Sequence, residues 1–415
     1  MPKLLQINIT ANWGSHGKIA EGIGLVAMRQ HWESYIAYGR WKNPSRSHLY
    51  HIGCPADEII HGISSRLFDN QGLMSHIATQ RLVRYIKAIR PDIVHLHNIH
   101  GYYLNYPILF RYLKESGIPV VWTLHDCWTF TGHCAHYMFK GCERWKNHCQ
   151  DCPLKSNYPK SLLLDRSYSN FEKKKKFFTS LPNLTLVPVC KWLDGEMAQS
   201  FLKNIKRKVI YNGIDTNIFT IKHNNENIRR KYNIPSNNKF VLGIASNWYR
   251  KGLGDFIKLR SMLKEDFSIV LVGLNEKELN SLPQNIIGIK RTENVDDLTD
   301  LYSTANVFFN ATWEDNFPTT NLEALACGTP VITYDTGGSK EAIDNNTGYV
   351  VGKGDLDLVS KLILNICSNE KDLFSSACRK RVIDHFKRED RFEEYFSLYE
   401  KILSEKPDST MKRRI

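Results

Sequence analysis

Between Trp313 and Gly338 the chain reads WEDNFPTTNLEALACGTPVITYDTGG, with two carboxylates, Asp315 and Glu323, on either side of a short polar turn. Residues 316 to 322 separate them. A carboxylate repels phosphate, yet it accepts hydrogen bonds from sugar hydroxyls in a bidentate way. Such charge-assisted bonds contribute roughly 1.5–3 kcal/mol each. Main-chain N–H groups at the start of the LEALAC helix can face anionic oxygens. One segment therefore offers hydroxyl acceptors beside phosphate donors, the combination that a nucleotide sugar demands.

Other residues suited to the same chemistry lie upstream. Lys251 stands between Arg250 and Gly252, past the carboxyl end of the strand FVLGIASN, where it can set a point charge on a diphosphate. A surface pair at a turn is the plain alternative. Gly14 and Gly17 flank Ser15 and His16 in NWGSHGK, and glycines there let the backbone approach a diphosphate or an acceptor closely. Gly22 and Gly24 already lie within the following helix, and no acidic residue ends the second strand. A nicotinamide enzyme is therefore disfavoured. His125 and Asp126 end a third strand, and His95, His97 and His100 follow another. Alternating histidines of that kind read as satisfied structural residues or acceptor contacts before they read as metal ligands.

Four of the ten cysteines cluster in GHCAHYMFKGCERWKNHCQDCP: Cys134, Cys142, Cys149 and Cys152, the last two as C-x-x-C. Four thiolates can hold a structural zinc tetrahedrally. Free or buried thiols and a redox pair are the two other readings, and a disulfide framework is disfavoured in a chain of intracellular character.

These residues need a scaffold, and the pattern supplies one. At 415 residues the chain is too long for one ordinary core. Strand-like runs (KLLQINI, DIVHLHNIH, IPVVWTLHD, LTLVPVC, KVIYNGID) alternate with helix-like ones, and the same grammar restarts at FVLGIASN. That alternation predicts parallel sheets with right-handed crossovers in two doubly wound α/β domains. Ligands bind such sheets at the carboxyl ends of the strands, and a cleft between the domains is the default site. The polar stretch from Phe219 to Lys239 reads as an inter-domain boundary.

With 42% hydrophobic and 24% charged residues and no long apolar run, the chain reads as soluble, without a transmembrane span or signal peptide. The expected location is the cytoplasm, with the inner face of the cytoplasmic membrane as a further possibility. The formal net charge of +13 attracts polyanions, with Lys173 to Lys176 in a row and MKRRI at the end. No nucleic-acid motif accompanies it. An anionic membrane surface, a phosphorylated substrate and a merely solvated basic face remain.

The tract WEDNFPTTNLEALACGTPVITYDTGGSKEAI resembles the donor-binding signature of glycosyltransferase family 4. VIYNGIDTNIF resembles that family's segment joining its two domains, RKGLGDFI its Lys-Gly phosphate turn, and TLHD its N-domain histidine strand. The matches follow the family's order and span most of the chain. The resemblance implies a GT-B fold, two Rossmann-like doubly wound parallel-sheet domains facing a cleft. The expected domains are an acceptor domain over 1–205 with the cysteine-rich insert 132–153, a nucleotide-sugar donor domain over 206–385, and a C-terminal helix and basic tail over 386–415 that packs back on the first domain.

The resemblance also implies roles. Asp315 stands where the family has the first Glu of its acid pair, near the transferring sugar, with Glu314 next door as the alternative. Glu323 is the acid for the ribose hydroxyls. Arg250, Lys251, Glu314, Asn316, Phe317, Thr319, Gly14 and Gly17 complete the donor-binding set. His125 lies beside the donor sugar, where its imidazole can donate to a hydroxyl or its backbone carbonyl can steady positive charge. Asp315 for Glu, Pro318 for Gly and Ser246 for Arg depart from the family's pattern, so hexose preference is open.

The implied activity is a retaining, metal-independent hexosyl transfer from a UDP- or GDP-sugar to a glycan or lipid-linked acceptor in bacterial surface polysaccharide biosynthesis. Lys251, Arg250 and helix N-termini would replace a divalent ion at the leaving diphosphate. Peripheral contact with an anionic membrane and a structural zinc are the further partners expected. A sugar-nucleotide epimerase on the same scaffold and a non-catalytic nucleotide-sugar-binding protein are the competing readings.

Overall fold

A computed structural model of the chain describes residues 1–223, 225–368 and 372–405. The expected basic end, MKRRI at 411–415, lies outside the described residues. VVWTL, LTLVP and FSIVLV carry no polar alternation because their strands are covered on both faces, and each of their residues is buried. In chain order the first seven strands are β1 (Lys3–Asn8), β2 (Glu33–Tyr38), β3 (His48–His51), β4 (Ile93–Leu96), β5 (Val120–Leu124), β6 (Leu184–Pro188) and β7 (Lys206–Arg207). All pair in parallel, side by side as β3-β2-β1-β4-β5-β6-β7.

The second sheet repeats the plan with β8 (Lys239–Ile244), β9 (Phe267–Val272), β10 (Ile286–Ile289), β11 (Val307–Asn310), β12 (Val331–Tyr334) and β13 (Gly348–Val351). Its parallel order is β10-β9-β8-β11-β12-β13. In each sheet the winding reverses once, between β1 and β4 and between β8 and β11. Helices leave in opposite directions there, and the strand ends frame a crevice suited to ligands.

The chain divides into two compact units, Met1–Ile210 with the residues from Arg391 onward, and Tyr211–Asp390. The polar stretch 219–239 is therefore not the boundary expected of it. Phe219 is buried with its ring edge-on to Tyr302, 6.3 Å between centroids. Lys231, on the helix Asn225–Lys231, pairs with Glu293 at 2.7 Å and Asp297 at 2.8 Å. Polarity here marks an outer helix of the second unit. The expected strand KVIYNGID, 208–215, is not a strand; the two-residue β7 lies just before it, and β2, β3 and β10 arise where no strand was expected.

The helix Arg388–Ser404 completes the first unit. Phe392, Tyr395, Phe396, Leu398 and Tyr399 join Leu4, Ile23, Val26 and Trp32 in one buried cluster. Gly22, in the helix Gly14–Arg29, makes this docking possible: a Cβ there would lie 2.0 Å from the Phe392 ring. Among the described residues, no helix is long and apolar enough to cross a membrane.

Truncating Phe392 removes a buried ring from a site that cannot collapse around a glycine. Phe392→Ala is expected to cost about 3–5 kcal/mol in the urea transition that reports the first unit. A loss below about 1 kcal/mol would contradict the docking described.

Candidate functional site

At the switch point of the second sheet, the loop after β8 and the loop after β11 meet. The Trp313 N–H donates to the Arg250 carbonyl at 2.9 Å, which ties the two loops together. Gly252 turns with φ +80°, and a Cβ there would stand 2.4 Å from the Ala311 carbonyl oxygen, so only glycine lets the loops cross this closely. Asp255 anchors the same junction by accepting from Trp313 Nε1 at 2.7 Å and from the Tyr334 hydroxyl at 3.0 Å.

Four of the expected site residues converge there as two ion pairs. Arg250 Nη1 lies 3.0 Å from Glu314 Oε1, and Lys251 Nζ contacts Asp315 Oδ2 directly. Glu314 is buried, with 4% of its side chain exposed, so it is not a solvated turn carboxylate. Asn316 and Phe317 lie beneath the turn. The Asn316 carbonyl accepts from the Gly338 N–H at 2.7 Å, and Phe317 is buried against Tyr211 and Phe386. Both brace the loop from below. Thr319 opens the helix Thr319–Ala326, half-buried, and the preceding Pro318 supplies no side-chain cap to the first turn. Glu323, on the same helix, accepts from the Tyr302 hydroxyl at 2.8 Å, which orients its carboxylate.

Two contributors were missed by the sequence reading. Tyr302 is invisible as a partner because it sits 21 residues before Glu323. Thr336 Oγ1, in the turn after β12, is buried without a hydrogen-bond partner among the described residues. The only available signal was a hydroxyl inside DTGG. The chain's Asp-x-Asp, Asp355-Leu356-Asp357, plays a capping part: Asp355 Oδ1 accepts from the Leu358 N–H at 3.1 Å.

The first unit gathers its histidines at the ends of β1, β4 and β5. Gln6 Nε2 donates to the Ala20 carbonyl at 2.6 Å, which turns Gln6 Oε1 toward His97 Nε2 at 3.0 Å. His97 must then donate through Nε2 and accept through Nδ1, so His125 Nε2–H donates to it at 3.3 Å. That N–H, a candidate donor to a sugar hydroxyl, is the one that meets His97. His95 is satisfied by Tyr399 at 2.6 Å and Thr123 at 2.8 Å, and His100 pairs with Asp126 at 2.8 Å.

Burial sets the charge state of this cluster. It pushes His125 down to about 3, reinforced by the charge of His16. It pushes His16 down to about 4, reinforced by His100. Burial opposes ionisation of Asp126, but the charge and hydrogen bond of His100 outweigh it and hold the carboxyl well below its usual range. His16 also carries a buried Nδ1 without a partner among the described residues. Of the two expected glycines, Gly14 turns with φ +67° into open space, whereas Gly17 packs against Thr10, where a Cβ would meet Oγ1 at 2.5 Å. Only Gly14 leaves room for a ligand.

Residues 27–218 match the family model Glycosyltransferase Family 4, and residues 224–382 match Glycosyl transferases group 1. The chain belongs to the family 4 type of glycosyltransferase. The putative colanic acid biosynthesis glycosyl transferase WcaC of Escherichia coli is 24% identical over 386 residues, 84% of this chain and 87% of that one. The capsular polysaccharide biosynthesis glycosyltransferase CapM of Staphylococcus aureus is 27% identical over 210 residues, 47% of this chain and 54% of that one. A solved glycosyltransferase from Rickettsia africae superposes with a TM-score of 0.71 at 17% identity, covering 98% of this chain and 99% of that one. HepE of Anabaena, solved with UDP, gives 0.69 at 13% identity, covering 97% and 100%. The two doubly wound sheets of this family 4 chain are thus the paired domains of the GT-B fold.

The neutral histidines make the first unit acid-sensitive. His16, His61 and His125 have folded pKa values of about 4, 4 and 3, below the unfolded value, so the unfolded chain binds more protons between them. The stability they contribute is complete above about pH 6.5 and is lost as pH falls toward 4. Urea midpoints for the first unit should fall steadily from pH 7 to pH 4, by on the order of 2 kcal/mol per histidine at the acid end. His16→Asn with His125→Asn should flatten that slope, and an unchanged slope would count against the assignment.

Proposed function

We propose that this chain transfers a hexose from a UDP- or GDP-sugar to a glycan or lipid-linked acceptor in bacterial surface polysaccharide assembly, with retention at the anomeric carbon and without a metal ion. The observation that carries the reading is the double ion pair at the β8/β11 switch point, Arg250 with Glu314 and Lys251 with Asp315. The named activities of the colanic acid and capsule relatives support the polysaccharide context. A third relative, an N-acetylgalactosaminyltransferase of Campylobacter jejuni acting on a diphospho-undecaprenol, supports the lipid-linked acceptor.

An arriving diphosphate competes for Lys251 and Arg250. The carboxylates those cations release become acceptors for sugar hydroxyls, so one exchange of partners serves both halves of the donor. Glu323, oriented by Tyr302, takes the ribose hydroxyls. In the transfer step the bond from the anomeric carbon to the diphosphate oxygen breaks. The acceptor oxygen bonds to that carbon from the same face, and its proton passes to the departing phosphate oxygen. The products are a nucleoside diphosphate and a glycoside. Lys251 and Arg250 stabilise the negative charge that develops on the leaving group, the largest electrostatic demand of the step. The His125 backbone carbonyl is electron-rich, suited to steadying the oxocarbenium-like sugar.

Lys251→Ala and Glu323→Ala should each lower turnover roughly a hundredfold or more, as the loss of one preorganised electrostatic group does elsewhere. Tyr302→Phe should mainly raise the KM for the donor, because it frees Glu323 to rotate. A thermal-shift screen of UDP- and GDP-sugars identifies the donor, since a ligand that binds only the folded state raises the melting temperature. Near-normal rates in both alanine variants would overturn the assignment. Conversion of the nucleotide sugar without any acceptor would favour an epimerase instead.

A further inference from the structure

The cysteine-rich insert takes no part in the site just described, yet it is built around a definite point. Its only regular elements are two 3-10 turns of three residues each, Met138–Lys140 and Arg144–Lys146. A segment of this length without helix or strand needs some other constraint to hold one conformation. Cys134, Cys142, Cys149 and Cys152, together with His133 and Arg144, line one small enclosed cavity. Its volume of about 10 Å³ admits a single water-sized sphere and no organic ligand.

Three features hold the surroundings of that cavity in place. The Gly132 N–H donates to Cys149 Sγ at 3.2 Å. Any side chain at Gly132 would strike the Ser167 carbonyl at 2.3 Å and Cys149 Cβ at 2.6 Å, so glycine is what permits this approach. The Cys152 N–H, at the second cysteine of C-x-x-C, is fixed by Asp165 at 2.5 Å. Peptide N–H groups aimed at sulfur stabilise its anion. Lys174 is the third feature. It is buried at 2% exposure, holds the Trp128 and Thr131 carbonyls at 2.6 and 3.0 Å, and lies 3.6 Å above the Trp128 ring. Cys149, Cys134, Asp69 and Asp126 surround it, and Asp69 and Asp126 already pair with His133 and His100.

We propose that Cys134, Cys142, Cys149 and Cys152 form a closed structural zinc site that fixes the insert on the first unit. All ten cysteines are free thiols in the structure, and no three potential ligands among the described residues already stand in a metal-binding arrangement. The inference therefore rests on the shared cavity, the Gly132 N–H···S bond to Cys149 and the C-x-x-C turn, and it requires the four sulfurs to close on the cavity when zinc enters. Zinc–sulfur bonds of about 2.3 Å place four thiolates about 3.8 Å apart, on the scale of such a cavity. A tetrathiolate zinc carries two negative charges, and Lys174 with Arg144 offsets them. The C-x-x-C pair supplies two neighbouring ligands from one turn, and Cys134 and Cys142 supply the opposite edge.

The test is the metal content of the full-length wild-type protein, purified without chelator and dialysed against zinc-free buffer. About one zinc per chain is expected, released only when a mercurial modifies the thiols. Cys149→Ser and Cys152→Ser should each lower the zinc retained at least tenfold, whereas Cys54→Ser, an exposed position outside the cluster, should leave it unchanged. Cobalt added to the stripped protein should give the intense near-ultraviolet sulfur-to-metal absorption of a thiolate site. Less than about a tenth of an equivalent of zinc in the wild type would overturn the proposal. So would an intact mass lowered by the two hydrogens of a disulfide among these cysteines. Both readings are independent of whether the variants fold.

Discussion

The double ion pair at the β8/β11 switch point is the constraint on which the rest of the second unit is organised. Glu314 is buried and Arg250 is a counter-ion to it, so removing Arg250 weakens the compensation of a buried charge. Lys251 and Asp315 repeat the arrangement one residue along. Two charges about 4 Å apart near a protein surface attract by about 4 kcal/mol, which is comparable to what a diphosphate oxygen would offer the same cation. Within each pair, cation and carboxylate balance one another. Gly252, the Trp313-to-Arg250 hydrogen bond and Asp255 all serve to bring two loops close enough for that balance to exist.

The first unit solves a different electrostatic problem by avoiding charge. Its histidines lie in a chain of neutral donors and acceptors that begins at the Ala20 carbonyl and runs through Gln6 and His97 to His125. Each link fixes the tautomer of the next. The orientation of His125 is consequently decided in the helix Gly14–Arg29, far from it in sequence.

This difference explains what the sequence made legible. Apolar runs and their alternation with helices exposed the two parallel sheets, because burial on both faces leaves a local signature in strands such as VVWTL and FSIVLV. Arg250, Lys251, Glu314 and Asp315 were legible as residue types in turns, since turns after parallel strands collect ligand contacts. That they pair with one another was not, because Lys251 and Asp315 are separated by 64 residues and nothing local records the contact. The His97–His125 link, the Tyr302–Glu323 bond and the support role of Phe317 were hidden for the same reason. Short half-exposed strands such as β3 also escaped, since HLYH carries no apolar run. Phe219 to Lys239 misled because polarity marks an exposed helix as readily as a linker.

The last helix has a consequence for how the protein is made. Phe392, Tyr395 and Tyr399 belong to the core that also holds Leu4, Ile23 and Trp32, yet they are synthesised after the whole of the second unit. Domains ordinarily fold in turn as they leave the ribosome. Here the amino-terminal half emerges with one apolar face uncovered and must wait through some 180 residues, 211–390, before its missing piece exists. Throughout that interval the groove at Gly22 is an open seat for a passing aromatic side chain, and the order of translation sets how long it stays open.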